Sequence, residues 1–299
     1  MATLRDIRRR IKAVKNTSQI TKAMKMVAAA KLRKAQGRML ELRPYSDKIY
    51  EVLGNLSRAG DAEAHPLLVK RLPKAVEVVV FTSDRGLCGA FNTNIMKAAV
   101  PFVRQLKEKG LQVSINAVGR KARDYYKRRD IALRQVLTGI SGKVDYQHAR
   151  SIAGDIMENY MAETFDEVYL VYNEFKNVVT QQVKVVKLLP FETVEAGGQG
   201  AAPAAEHAGA PETLDYIFEP SAAGLYRVLI PKAVEIKVFR ALLESQTSEE
   251  ASRMTAMENA SKNAEEMIHN LTLVANKVRQ ATITRELMDI VGGVEALKK

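Results

Sequence analysis

Between Pro231 and Gly292 the chain runs for sixty residues without a glycine or a proline, some five times the typical helix length of about 11 to 12 residues. Those two residue types are the ones that interrupt helices, so their absence predicts one very long helix. Met257, Ala260, Ala264, Met267, Leu271, Val274, Val278 and Ala281 recur along it at alternating steps of three and four. That spacing predicts a heptad seam and left-handed supercoiling. At ~1.5 Å per residue the helix would reach on the order of 90 Å, farther than one globule can bury. The seam therefore needs a helical partner.

The first 43 residues supply one. They contain a single glycine, Gly37, no proline before Pro44, and abundant Ala, Lys, Arg and Met, all good helix formers. Leu4, Ile7, Ile11 and Val14 form an apolar stripe. After a polar interruption at Asn16-Thr17-Ser18-Gln19 the stripe resumes as Met24, Ala28, Leu32, Ala35, Met39 and Leu42. Two long striped helices at opposite ends of a chain most economically bury each other as an antiparallel pair, which makes the middle an insertion in a hairpin.

The middle reads as α/β. Ala75 to Thr82 is a short β-branched strand, Asn92 to Lys109 a helix, and Leu111 to Val118 a second strand. Arg120 to Arg129 is helical, Ile131 to Thr138 weakly strand-like, Val144 to Thr164 helical, and Glu167 to Phe175 a third strand, with Val178 to Leu189 a further strand in a hairpin. Such alternation predicts a mostly parallel sheet with helices on its faces. From Glu195 to Pro211 the sequence collapses into Ala, Gly and Pro, too poor in large apolar groups to pack, and reads as a surface loop. The expected division is an N-terminal coiled-coil helix over 1–60, an α/β domain over 74–192, a loop over 193–213, and a foot with the C-terminal coiled-coil helix over 214–299.

Charge narrows the classes of function. The formal net charge is +12, and thirteen Lys/Arg against Asp6 and Glu41 place +11 of it in residues 1–43. A basic helix can bind nucleic acid, anionic lipid or an acidic protein surface. No aromatic residue lies in this segment, which weakens base stacking and leaves a basic coiled-coil nucleic-acid binder as the alternative reading. No apolar run approaches the roughly 18 residues that span a bilayer. Charge near the start, at Arg5 and Asp6, replaces the apolar stretch of a signal peptide, so a cytosolic chain without a transmembrane segment is expected. One cysteine and four scattered histidines exclude an internal disulfide and the common zinc sites, so no metal is expected.

Ser83 to Asn92, SDRGLCGAFN, follows a strand and precedes a helix, where a phosphate site would lie in an open α/β sheet. Gly86 and Gly89 do not complete GxGxxG, because position 91 is Phe, and no Walker lysine follows; a tight turn is the better reading. Cys88 has no motif placing a histidine beside it and reads as a buried thiol. Glu265-Glu266 and Asp166-Glu167 are sequence neighbours, which directs them to different faces rather than to one substrate. No catalytic residue and no bound cofactor is expected.

Three segments carry a family resemblance: MKMVAAAKLRKAQ at 24–36, SDRGLCGAFN at 83–92, and ESQTSEEASRMTAMENASKNAEEM at 244–267 followed by NKVRQATITRELMDIVGG at 276–293. Together, in this order and at this spacing, the chain resembles the gamma subunits of F-type ATP synthases, of the bacterial type. The resemblance implies an antiparallel coiled coil of the terminal helices around a Rossmann-like α/β domain that binds no nucleotide. It implies a central rotor shaft, one copy lodged in a hexamer of three alpha and three beta subunits, with its foot on the epsilon subunit and the c ring. Proton-driven rotation of the ring would then drive the beta catalytic sites through ATP synthesis, or hydrolysis in reverse, on the cytoplasmic face of the inner membrane, while the chain itself makes no bond. Met24, Lys25, Arg253, Gln280, Thr284 and Glu286 match positions that contact alpha and beta. Tyr216 and Glu219, in LDYIFEP, match the foot near epsilon and the c ring. Chloroplast members carry an added regulatory cysteine pair; a single Cys88 implies that thiol gating is absent.

Overall fold

A computed structural model describes residues 3–58, 65–192 and 222–297. The elements, in order, are α1 (Leu4–Arg58), β1 (Ala75–Phe81), α2 (Phe91–Glu108), β2 (Gln112–Val118), α3 (Arg120–Lys127), β3 (Gln135–Leu137), α4 (Tyr146–Met161), β4 (Glu167–Phe175), β5 (Gln181–Leu189) and α5 (Ala222–Leu297). Contacts divide the chain into two compact units: Met1–Ala30 with Arg253–Lys299, and Lys31–Ser252. The loop expected over 193–213 lies outside the described residues.

The larger unit is built on a five-stranded sheet in the order β3-β2-β1-β4-β5. β1 pairs in parallel with β2 and β4, β2 in parallel with β3, and β5 runs antiparallel to β4. The β1 sequence AVEVVVF explains its central place, since a strand covered on both faces is apolar nearly throughout. Its period of two divides the core. Val76, Val78 and Val80 face a cluster with Phe91, Ile95 and Ala99 of α2 and with Ala122 and Tyr126 of α3. Val79 and Phe81 face a larger cluster with Ile152, Ile156 and Tyr160 of α4, Ile49 and Leu53 of α1, and Ala233, Val234 and Leu242 of α5. At ~25 cal/mol per Å² of apolar area removed from water, these faces dominate the stability of the unit.

Local signals place the ends. The hairpin into β5 turns at Asn177, whose side-chain oxygen accepts from the N–H groups of Val179 and Thr180 at 3.0 and 2.6 Å, an Asx-type turn. Asp145 caps α4, and the His148 ring nitrogen accepts the Asp145 N–H at 3.1 Å. That capping contact gives one of the four histidines a structural task.

The smaller unit is a pair of helix segments. Lys22 meets Glu265 and Lys25 meets Glu258, so numbers rise on one helix as they fall on the other and the segments are antiparallel. The pairing corrects the expected seam. Met257 and Ala264 are buried and Leu271 and Val278 half-buried, but Met267 is 52% exposed, Val274 48% exposed, and Ala281 also faces solvent. The positions between them move on by one residue, to the buried Ser261 and Ala275 and the half-buried Ile268. On α1 the expected interruption is no interruption, because Ser18 and Thr21 are themselves buried in the stripe. Small side chains at the seam let helix backbones approach closely, and hydroxyl groups fit there once they are hydrogen-bonded.

Candidate interaction surface and a closed crevice

At the centre of the helix pair, Thr21 Oγ1 and Ser261 Oγ lie 2.7 Å apart, and either can donate to the other. Each also reaches a carbonyl of its own helix, Ser18 O at 3.0 Å and Met257 O at 2.9 Å. With one proton on each hydroxyl, one donates across the rung while the other donates to a carbonyl of its own helix. Ion pairs flank it: Lys22 to Glu265 at 2.6 Å, Lys25 to Glu258 at 3.2 Å, and Lys262 to Glu258 at 3.6 Å. Hydrogen bonds from Lys25 and Lys22 hold the Glu258 and Glu265 carboxyls below the usual carboxylate range. These groups are open to water, where single pairs contribute little and salt screens them.

The residues that the resemblance implies for subunit contacts fall in different surroundings. Met24 and Lys25 are half-buried on α1, with Lys25 committed to Glu258. Arg253 is half-buried on α5. Gln280, Thr284 and Glu286 are exposed, and the Thr284 hydroxyl donates to the Gln280 carbonyl at 3.0 Å. From Arg253 to Glu286 they extend about 50 Å along one helix at ~1.5 Å per residue, so they form a line rather than one pocket. Tyr216 and Glu219 lie outside the described residues. Sequence reasoning missed Thr21, Ser261 and Glu258, because hydroxyls and an isolated glutamate do not stand out from a solvated helix face.

Beyond Val278, α5 changes character. Every described side chain from Arg279 to Val291 faces solvent, and Ile283, Leu287, Met288, Ile290 and Val291 are each more than half exposed. A contiguous apolar surface of this kind marks an interaction site. On α1, Ile20, Met26 and Val27 are also more than half exposed.

The other candidate, the end of β1, is closed by its own residues. The three leading N–H groups of α3, ordinarily free at a helix start and attractive to phosphate, are all taken. Arg120 N–H donates to Asp84 Oδ1 at 3.0 Å, Lys121 N–H to the Ser83 carbonyl at 3.1 Å, and Ala122 N–H to Thr82 Oγ1 at 2.9 Å. Asp84 Oδ2 also accepts from Gly139 N–H at 2.9 Å and Ser141 N–H at 3.0 Å. The carboxylate sits among backbone donors as an anionic ligand would. Gly119 permits this closeness: its φ is +98°, and a Cβ there would lie 2.2 Å from the Thr82 carbonyl oxygen. Glu249 of α5 completes the closure by accepting the Ser141 hydroxyl at 2.9 and 2.7 Å. Cys88 is buried, with Asn92 Nδ2 donating to its sulfur at 3.1 Å.

Asp166, Glu167, Glu77 and Asp155 have structural partners. Asp166 Oδ2 accepts from the N–H groups of Lys74 and Ala75 at 2.7 and 3.0 Å, and Glu167 pairs with Lys187 at 2.7 Å. Glu77, fully buried, accepts from Arg134 Nε at 2.6 Å, while the other guanidinium nitrogens of Arg134 bind Asp155 at 3.2 and 2.5 Å. Burial raises the Glu77 carboxyl and Arg134 opposes that rise. Among the described residues no His, Cys, Asp or Glu group is arranged to hold a metal ion, and no helix is long and apolar enough to cross a membrane.

Comparison with known proteins agrees with the long terminal helices and the central α/β sheet. A family model described as ATP synthase matches residues 3–297. The ATP synthase gamma chain of Pelotomaculum thermopropionicum is 46% identical over 298 residues, and that of Geobacter metallireducens 47% identical over 298, each alignment covering 100% of both chains. Among solved structures, a chain of the Tetrahymena thermophila mitochondrial ATP synthase central stalk and c ring is 29% identical with a TM-score of 0.57, over 81% of this chain and 99% of its own. A chain of the Euglena gracilis mitochondrial ATP synthase has the same fold at 24% identity and a TM-score of 0.64, over 98% of this chain and 94% of its own. The chain belongs to the ATP synthase gamma-chain family.

Proposed function

We infer that this chain is the central rotor shaft of an F-type ATP synthase, coupling rotation of a proton-driven c ring to conformational cycling of the beta catalytic sites in ATP synthesis and hydrolysis. One observation carries the reading at the level of geometry: the end of α5, from Arg279 to Val291, leaves five large apolar side chains exposed with no buried neighbour on the same stretch. Such a helix end needs a sleeve. A single hairpin inside a ring of three equivalent pairs presents a different face to each, so that contact selects a different conformation at each beta site. Nucleotide chemistry then belongs to the sleeve, and this chain makes no bond, binds no cofactor and works as a non-catalytic subunit.

The proposed contacts rest on the family resemblance, with Gln280, Thr284 and Glu286 exposed and Met24, Lys25 and Arg253 half-buried. Met24 and Lys25 on α1 and Arg253, Gln280, Thr284 and Glu286 on α5 meet the alpha and beta subunits, through weak exposed contacts that can break and reform at every step. Strong desolvated pairs would instead trap the rotor. Tyr216 and Glu219 meet the epsilon subunit and the c ring. Functionally, 1–60 and 214–299 form the shaft and foot, 74–192 the α/β body, and 193–213 the loop that leads from one to the other, all on the cytoplasmic face of a bacterial inner membrane. The nucleic-acid alternative is disfavoured because Glu258 and Glu265 already engage the basic face at Lys25 and Lys22, and because the relatives described above are ATP synthase gamma chains. Native mass spectrometry of the complex captured through a tag on the α/β body tests the reading. One copy with three each of two larger nucleotide-binding subunits is expected; a homo-oligomer or bound nucleic acid would overturn it.

A further inference from the structure

The α5 stretch Glu244–Ser252, ESQTSEEAS, is the most polar run of the helix core and also one of its most buried. Glu244, Ser245, Thr247, Ser248, Glu249 and Glu250 are all buried, although Glu is almost never buried unless it is paired. Four side chains of the run reach partners on other elements. Ser248 Oγ donates to the Asn173 carbonyl of β4 at 3.2 Å, and Ser252 Oγ donates to Gln181 Oε1 of β5 at 3.0 Å. Glu249 receives the Ser141 hydroxyl, from the segment between β3 and α4. Glu250 faces Lys31 of α1 at 3.9 Å. Successive residues of a helix point about 100° apart, so these partners engage α5 from several sides of its axis.

We propose that Glu244–Ser252 is a torsional clamp that fixes α5 against turning about its own axis relative to the α/β body, so that a turning moment on that body is delivered to the shaft helix at this point. The proposal rests on the rotor reading. Its physical basis is directionality. A hydrogen bond weakens steeply as its angle departs from linear, whereas apolar contact is non-directional and tolerates a side chain sliding over its neighbour. The grip is anchored on the body side: Ser141, which holds Glu249, has its own N–H bound to Asp84, and Asp84 is tied to the start of α3 and to Gly139. Asn173 and Gln181 belong to paired strands. Ser141, Ser248 and Ser252 are thus positioning residues.

The test uses the alpha–beta hexamer with this full chain, immobilised through the hexamer and stalled with a non-hydrolysable nucleotide. A bead is attached at a cysteine replacing exposed Lys107 on α2, in a Cys88→Ala background. Angular fluctuation of the bead reports torsional stiffness between body and hexamer. Combined Ser141→Ala, Ser248→Ala and Ser252→Ala substitutions should raise the angular variance at least about twofold, since three directional bonds are lost, with ATP hydrolysis by the hexamer unchanged. Val103→Ala, in the cluster between α2 and the sheet, controls for general softening of the body and should leave the variance as it was. An unchanged variance in the triple variant, or an equal rise in the control, overturns the clamp. Should the triple variant fail to assemble, Ser252→Ala alone is measured under the same criterion, with a smaller rise expected and an unchanged variance contradicting the clamp. Failure of the rotor reading is distinguishable, because the bead on the unsubstituted chain would then not rotate when ATP is supplied.

Discussion

The helix pair of 3–30 and 253–297 and the α/β body solve the burial problem in opposite ways. The body covers β1 on both faces, sets the buried Glu77 carboxylate against the Arg134 guanidinium that also binds Asp155, and closes its own crevice around Asp84. The helix pair buries a narrow line of mostly small residues, Ala28, Ser261, Ala264 and Ala275 among them, and leaves Met26, Leu287 and Met288 to solvent. The first supplies its own apolar core on both faces of the sheet. The second is finished only by something around it, and that difference points to where each part works.

Substitutions probe this contrast directly. The largest effect is expected in the body: Arg134→Met leaves Glu77 buried without its cation and should cost about 3–5 kcal/mol, read from urea unfolding of the full chain. It also removes the group that opposes the rise of the Glu77 carboxyl, so the loss should shrink as pH falls and the acid becomes neutral.

Next is Lys237, whose ammonium burial lowers to about 8, with Glu192 opposing the shift. The folded chain releases this proton more readily than the unfolded chain. Stability should therefore rise with pH between about 8 and the ordinary lysine value, by roughly 3 kcal/mol. In Lys237→Met this part of the profile should be flat; an unchanged rise in the variant would show that other groups carry it.

A smaller effect locates the seam. Ala264→Asp places a charge on the buried line and should lower stability by about 2 kcal/mol or more, whereas Met267→Asp, on the exposed side, should stay within about 0.5 kcal/mol. Equal losses would restore the seam expected from apolar spacing alone. The smallest effect belongs to the rung: Thr21→Val or Ser261→Ala alone should cost about 1 kcal/mol, and the two together less than their sum. Strict additivity would mean that the hydroxyl groups do not act as a pair.

What could be read from the sequence divides along the same line. The long helices were legible because sixty residues without Gly or Pro admit little else, and β1 was legible because AVEVVVF is apolar on both faces. The seam was legible in period but not in register. Met257, Ala264, Leu271 and Val278 recur every seven residues in both versions, and the wholly apolar register through Ala260, Met267 and Val274 was favoured because the other passes through the polar Ser261. Choosing correctly requires knowing that Thr21 stands opposite Ser261, which is information about pairing. The closed crevice was invisible for a similar reason, since the donors to Asp84 come from Arg120, Gly139 and Ser141, far along the chain. Motif inspection could say only that a phosphate loop was incomplete.

Rotation of the chain inside its hexamer can be watched directly. With the alpha–beta hexamer fixed to a surface and a bead on the α/β body of this chain, ATP should drive unidirectional stepwise turning in threefold increments. A bead that stays at one angle while the same molecules hydrolyse ATP would contradict the account.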